Sequence, residues 1–114
     1  MRWLAVGVGL ILSSAAIAAE DKQSGNFFLP HCKLPNAAPA PWSFLAGVCV
    51  GRITVLASVG NNFASNISVC PPEQATTKQL TTVVVRYLEK HPERLHEDFN
   101  MLALVALHEA WPCK

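Results

Sequence analysis

The sequence predicts an all-α fold, a small disulfide-linked bundle of about four helices that ends in an antiparallel helix hairpin. Three observations carry this. Apolar residues recur with helical period near the C-terminus, most clearly at Leu80, Val83, Val84, Tyr87 and Leu88. The apolar stretch Trp42 to Val59 is longer than an ordinary strand and ends at Gly60. Four widely spaced cysteines, Cys32, Cys49, Cys70 and Cys113, suit the covalent staples on which small exported domains rely.

The chain opens with Arg2, an uncharged apolar run from Trp3 to Leu12, and small residues up to Ala19. The first acids follow at Glu20 and Asp21. A positive start, a short apolar run and an Ala16-Ile17-Ala18 site describe a secretory signal peptide. Its ~16 apolar or small residues fall short of the ~20 that cross a bilayer. Residues 1–19 are therefore expected to be cleaved, and 20–114 to form one periplasmic domain free of the membrane. Losing Arg2 takes Lys+Arg from 9 to 8, equal to the Asp+Glu count of 8. That balance leaves no basic footprint for nucleic acid or anionic lipid.

Ser24 can cap a first helix that starts at Gly25 or Asn26, and Pro30 should limit it to about two turns. Leu34 to Pro41 carries three prolines and reads as an irregular link. Trp42 to Val59 is apolar almost all round and reads as a central helix, although Val48, Val50, Ile53, Thr54 and Val55 also suit strands. Gly47 and Gly51 share one face of that helix, and close approach by a neighbouring helix would offset their cost. Asn61 to Val69 is a polar, turn-rich loop. Thr76 and Gln79 spell a capping box, with Ala75 and Leu80 placed for a hydrophobic staple. The helix they start is closed by Pro92. A last helix is expected to begin between Pro92 and Glu97 and to reach Ala110, with Leu95, Phe99, Leu102 and Ala106 as its stripe. Its apolar surface is broad enough to suggest a homodimer contact.

Cysteine pairing follows from this order. Zinc favours close pairs, and the nearest cysteines here are far apart. Cys70 precedes one arm of the hairpin and Cys113 follows the other, so an antiparallel arrangement brings them together. Cys70–Cys113 is then the natural bond, and Cys32–Cys49 follows by elimination. Loops of about 43 and 17 residues would contribute about 4 and 3 kcal/mol through chain entropy.

Several runs together resemble one family. They are Ser24-Gly25-Asn26, Cys32, Cys49-Val50-Gly51, Cys70-Pro71-Pro72, Thr76 to Leu80, Val84 to Arg94 and Ala110-Trp111-Pro112-Cys113. In this pattern the chain is similar to the Rap/Tai family of periplasmic immunity proteins, associated with type VI secretion. The resemblance spans nearly all of the expected mature chain. It implies an all-α fold with intrachain disulfides, often dimeric, that binds and inhibits a peptidoglycan amidase delivered by a neighbouring cell. One stretch departs from the family. After Cys-x-Gly the family usually has Tyr-Ile-x-Gly-Val and an acid two residues on, where this chain has Arg52-Ile53-Thr54-Val55-Leu56 and Ser58.

No catalytic pattern emerges. His96-Glu97 starts like a zinc-protease motif, but the second histidine position is Asn100. His91, His96 and His108, with Glu97 or Glu109, read as exposed polar residues rather than ligands. There is no nucleophile elbow and no glycine-rich phosphate loop, and no cofactor or metal is expected. The expected activity is binding, and the candidate partner contacts are Asn61, Asn62, Phe63 and Asn66, on a loop held by a rigid scaffold. The same residues would equally serve to cap and cover the central helix. Two other functions fit the composition: a periplasmic acid-stress chaperone and a structural or assembly subunit of the envelope.

Overall fold

Four side chains start four helices. Ser24 Oγ accepts from the Phe27 amide at 3.2 Å and opens α1, Gly25–Lys33. Ser43 Oγ accepts from Ala46 N at 3.1 Å and opens α2, Phe44–Val59. Thr76 and Gln79 form the capping box of α3, Thr77–Lys90, through bonds of 3.1 and 2.7 Å. Asp98 accepts from Met101 N at 3.1 Å and opens α4, Phe99–Ala110. Each cap satisfies amides that the first turn leaves without a partner. Short 3₁₀ turns at Leu34–Asn36, Gly60–Asn62 and Pro92–Arg94 link the helices. This computed structural model describes residues 22–36 and 43–114, with the isolated Gly7 and Gly9. The expected leader and Trp42 lie outside the described residues.

The all-α bundle, its C-terminal hairpin and both expected cysteine pairs are present. Cys32–Cys49 joins α1 to α2 with Cα atoms 5.5 Å apart, and Cys70–Cys113 closes the hairpin at 5.0 Å. The first helix runs through Pro30 to Lys33, nine residues and close to the expected two turns, and the proline removes one amide donor without ending it. One element boundary differs from expectation. The last helix starts only at Phe99, so Leu95 lies before it. The chain entering α1 explains the late start. Gly25 N donates to Glu97 O at 3.0 Å, Asn26 N to Leu95 O at 2.8 Å, and Phe99 N to Gln23 O at 2.6 Å. Residues 95–98 therefore lie against the entry to α1 instead of coiling. Gly25 permits that approach, because a Cβ there would sit 2.8 Å from Leu102 Cδ1.

Helix α4 packs on all three other helices, chiefly on α3 and α2. Phe99, Leu102, Ala103, Leu104, Ala106 and Leu107 are buried, and the Phe28 and Phe99 rings meet at 4.7 Å. The breadth of its apolar surface is thus used inside the molecule, and Met101 is its exposed apolar exception.

Helix α2 is different. Ala46, Cys49, Ile53 and Ala57 line its buried side, while Phe44 is 84 % and Val55 59 % exposed. The neighbour expected over Gly47 and Gly51 is absent among the described residues, since a Cβ at either position would meet nothing within 4 Å. Phe44–Asn62 is long and apolar enough to cross a membrane by length and composition. Within this bundle it is bonded to α1 by a disulfide and buries Ile53 against the core.

Gly60 and Gly47 should respond in opposite directions to a methyl group. At Gly60 a Cβ would lie 2.6 Å from Val69 Cβ, so Gly60→Ala is expected to destabilise by about 1–3 kcal/mol. Gly47→Ala, on an open helix face, should stabilise by up to about 1 kcal/mol. Thermal melts of the two variants check both signs.

Candidate functional site

Two surfaces stand out, and the loop after α2 is the first. Gly60 O accepts from Phe63 N at 3.2 Å and from Val69 N at 3.0 Å, which brings the two ends of the loop together. Ile67 N donates to Ala64 O at 2.9 Å, and Ser68 Oγ donates to Ser65 O at 3.3 Å. From outside the loop, His108 Nδ1 donates to Ser68 O at 2.7 Å, and Cys70 N donates to Trp111 O at 2.8 Å. Val69 and Ser68 are buried beneath it. The result is a compact loop whose base is tied to α4 and whose tip is free of regular structure.

The four residues expected to make contacts divide accordingly. Asn61, Asn62 and Asn66 are exposed, and Asn62 Nδ2 donates to Asn61 Oδ1 at 3.1 Å. Phe63 is half-buried and packs against the core, so its first role is to hold the loop down. The loop offers amide donors and acceptors without charge, which suits recognition rather than proton transfer.

The histidines do not converge. His91 ends α3, with its ring 4.3 Å from that of Tyr87 and its Nδ1 3.1 Å from Glu93. His108 is committed to the loop, and His96 is exposed on the connection before α4. Among the described residues, no group of three His, Cys, Asp or Glu is placed to hold a metal ion.

The second surface is the uncovered face of α2. Phe44, Gly47, Gly51, Val55 and Val59 follow one another at helical spacing, all exposed and none charged. Thr54 and Ser58 beside them spend their hydroxyl donors on Val50 O and Val55 O, at 2.7 and 2.9 Å. A groove lined by Val48, Gly51, Arg52, Val55, Leu56 and Asn100 runs along this face. The apolar character of α2 is legible in the sequence, but the surplus apolar surface falls on α2 and not on the last helix, where it is expected. The absence of any charge at positions 44, 47, 51, 55 and 59 was the available signal.

Arg52 stands on the edge of that groove. Its guanidinium carbon lies 4.7 Å from the centroid of the Phe28 ring, and Nη1 donates to Gln23 Oε1 at 2.9 Å. A planar cation over an aromatic face thus covers Phe28 where an aromatic side chain was the expectation.

Residues 24–113 match the Rap1a immunity proteins. The chain belongs to the Rap1a immunity protein family. No curated relative and no solved structure matches it. Membership in the Rap1a family gives the chain an immunity role, in which a protein of this kind binds an effector protein. The matched segment contains all four helices, both disulfides and the loop at Asn61 to Val69. A Rap1a domain stapled in this way is compatible with residence outside the cytoplasm.

A cluster between α3 and α4 contributes to the acid response of the domain. Arg94 binds Glu97 in bidentate fashion at 2.7 and 3.1 Å, and also donates to the Tyr87 hydroxyl. These hydrogen bonds from Arg94 hold the Glu97 carboxyl below its ordinary value of 4.5. Glu93 is lowered too, first by a backbone hydrogen bond and then by His91. Both folded-state values lie below the unfolded ones. Their contribution is therefore complete above pH 4.5 and is lost as pH falls through the lowered values. Melting temperature should stay level down to that pH and drop below it, and Glu97→Gln should make the acid drop shallower. Melts across an acid pH series read both effects.

Proposed function

We propose that the chain is exported through its N-terminal leader and acts in the periplasm as an immunity protein against a type VI peptidoglycan amidase. Inhibition is by occlusion, with the loop Asn61 to Asn66 laid against the effector. Membership in the Rap1a immunity family over residues 24–113 is the observation that carries this reading. The tied base of the loop supports it, because a pre-organised loop gives up less conformational entropy when it binds.

The protein acts as a homodimer in this proposal. The uncovered face of α2 provides a self-complementary surface, with Phe44 as a projecting ring at one end and the groove near Gly51 and Val55 further along. An antiparallel pairing of this face would place Phe44 of one copy opposite the groove of the other. A single patch carrying both parts is what a two-fold interface requires.

The same face favours a second reading, a client-shielding chaperone, since uncovered apolar surface also suits unfolded clients. Sedimentation at micromolar concentration separates the two. A dimer converted to monomer by Val55→Glu supports the paired face, whereas a monomeric parent that suppresses client aggregation in acid supports the chaperone.

The immunity reading is tested with the mature protein as bait in lysates of the source and neighbouring strains. A captured peptidoglycan amidase should lose activity in a purified cleavage assay when the protein is added in equimolar amount. Replacing Asn61, Asn62 and Asn66 together by Ala should weaken binding by about tenfold or more, which is about 1.4 kcal/mol or more in total. Full amidase activity in the presence of excess protein would defeat the proposal.

A further inference from the structure

The two disulfides occupy opposite environments. Cys32 and Cys49 are both 0 % exposed and lie inside the core cluster with Phe28 and Ile53. Cys70 is exposed and Cys113 half-exposed, at the outer end of the hairpin. Lys114, which is exposed, follows Cys113 directly. Thiol–disulfide exchange needs an attacking thiolate in line with the bond, so access to sulfur governs the rate.

We infer that Cys70–Cys113 is a site of reversible thiol–disulfide exchange with dithiols, and that Cys32–Cys49 is the permanent staple. One thiolate of the dithiol bonds to Sγ of Cys70, the more exposed residue of the pair, and the S–S bond breaks. Cys113 leaves as a thiolate and takes up a proton. The second thiol of the dithiol then displaces Cys70, which leaves as a thiolate and is protonated in turn. Two electrons pass to the protein, giving two cysteine thiols, and the dithiol becomes a disulfide.

The position of the bond gives this exchange a consequence. Cys70 follows Val69, whose amide closes the loop onto Gly60 O. Three ties join the far end of this loop to α4 and the tail: His108 to Ser68 O, Cys70 N to Trp111 O, and the disulfide. Reduction removes the covalent one and leaves two hydrogen bonds. The four helix caps and the Cys32–Cys49 bond are untouched, so the bundle stays folded. The loop Asn61 to Val69 and the tail after Ala110 gain local freedom. This holds whether or not the loop contacts an effector, so failure of the immunity reading leaves it standing.

The test is graded reduction of the oxidised protein with dithiothreitol under native conditions, followed by alkylation and peptide mass spectrometry. A species alkylated at Cys70 and Cys113 alone should accumulate, formed about tenfold or more faster than any product labelled at Cys32 or Cys49. Hydrogen exchange on that species should quicken at the Val69 and Cys70 amides and stay unchanged in the middle of α2. Prior denaturation should make both bonds equally reducible, which separates burial from intrinsic reactivity. Simultaneous loss of both disulfides in the native protein, or loss of Cys32–Cys49 first, would overturn the assignment. Unchanged exchange at Val69 and Cys70 in the singly reduced species would overturn its link to the loop.

Discussion

Burial of half the residues of α4 is the constraint from which the architecture follows. A helix with Phe99, Leu102, Ala103, Leu104, Ala106 and Leu107 all buried cannot be satisfied by one neighbour. It needs three, and α1, α2 and α3 take those places. Its start is held by the backbone of residues 23–26, and its end by the bond from Cys113 to Cys70. A domain this small has little apolar area to spare, so covering most of the apolar surface of one helix leaves another partly bare. That other helix is α2.

The functional surfaces follow from this division. Where the core is closed around α4, the chain leaving α2 is drawn back by Gly60 and Val69 into a short loop with a firm base. The bare side of α2 leaves a charge-free strip on the opposite kind of surface, apolar and nearly flat at its glycines. A polar loop and an apolar strip are suited to different partners, one transient and hydrated, the other more permanent. Arg52 and Val55, where the chain departs from its family's usual residues, stand at the edge of that strip and on it.

Local chemistry made much of the fold legible. Thr76 with Gln79, and Ser24, announced their helices because a cap acts within one turn and needs no distant partner. The disulfide pairing was readable because an antiparallel hairpin brings its outer ends together whatever fills its middle. The start of α4 was not readable. Leu95 has the spacing of a helix residue, but its carbonyl is taken by Asn26, which is distant in sequence. The candidate loop was visible as a polar run, whereas the inward turn of Phe63 depends on the core beneath it.

The sequence by itself determined that this is a small, all-α, twice-stapled domain with the pattern of an immunity family, because periodicity, caps and cysteine spacing are properties of the chain alone. Which apolar faces are covered was a matter for the tertiary structure. Composition marks α2 and α4 as almost equally apolar, and only the placement of neighbours decides that α4 is enclosed while α2 keeps an open side. The same holds for the cysteines. Four identical residues acquire two different chemistries because one pair is sealed in the core and the other stands at the rim, and access to solvent is not written in a residue's name.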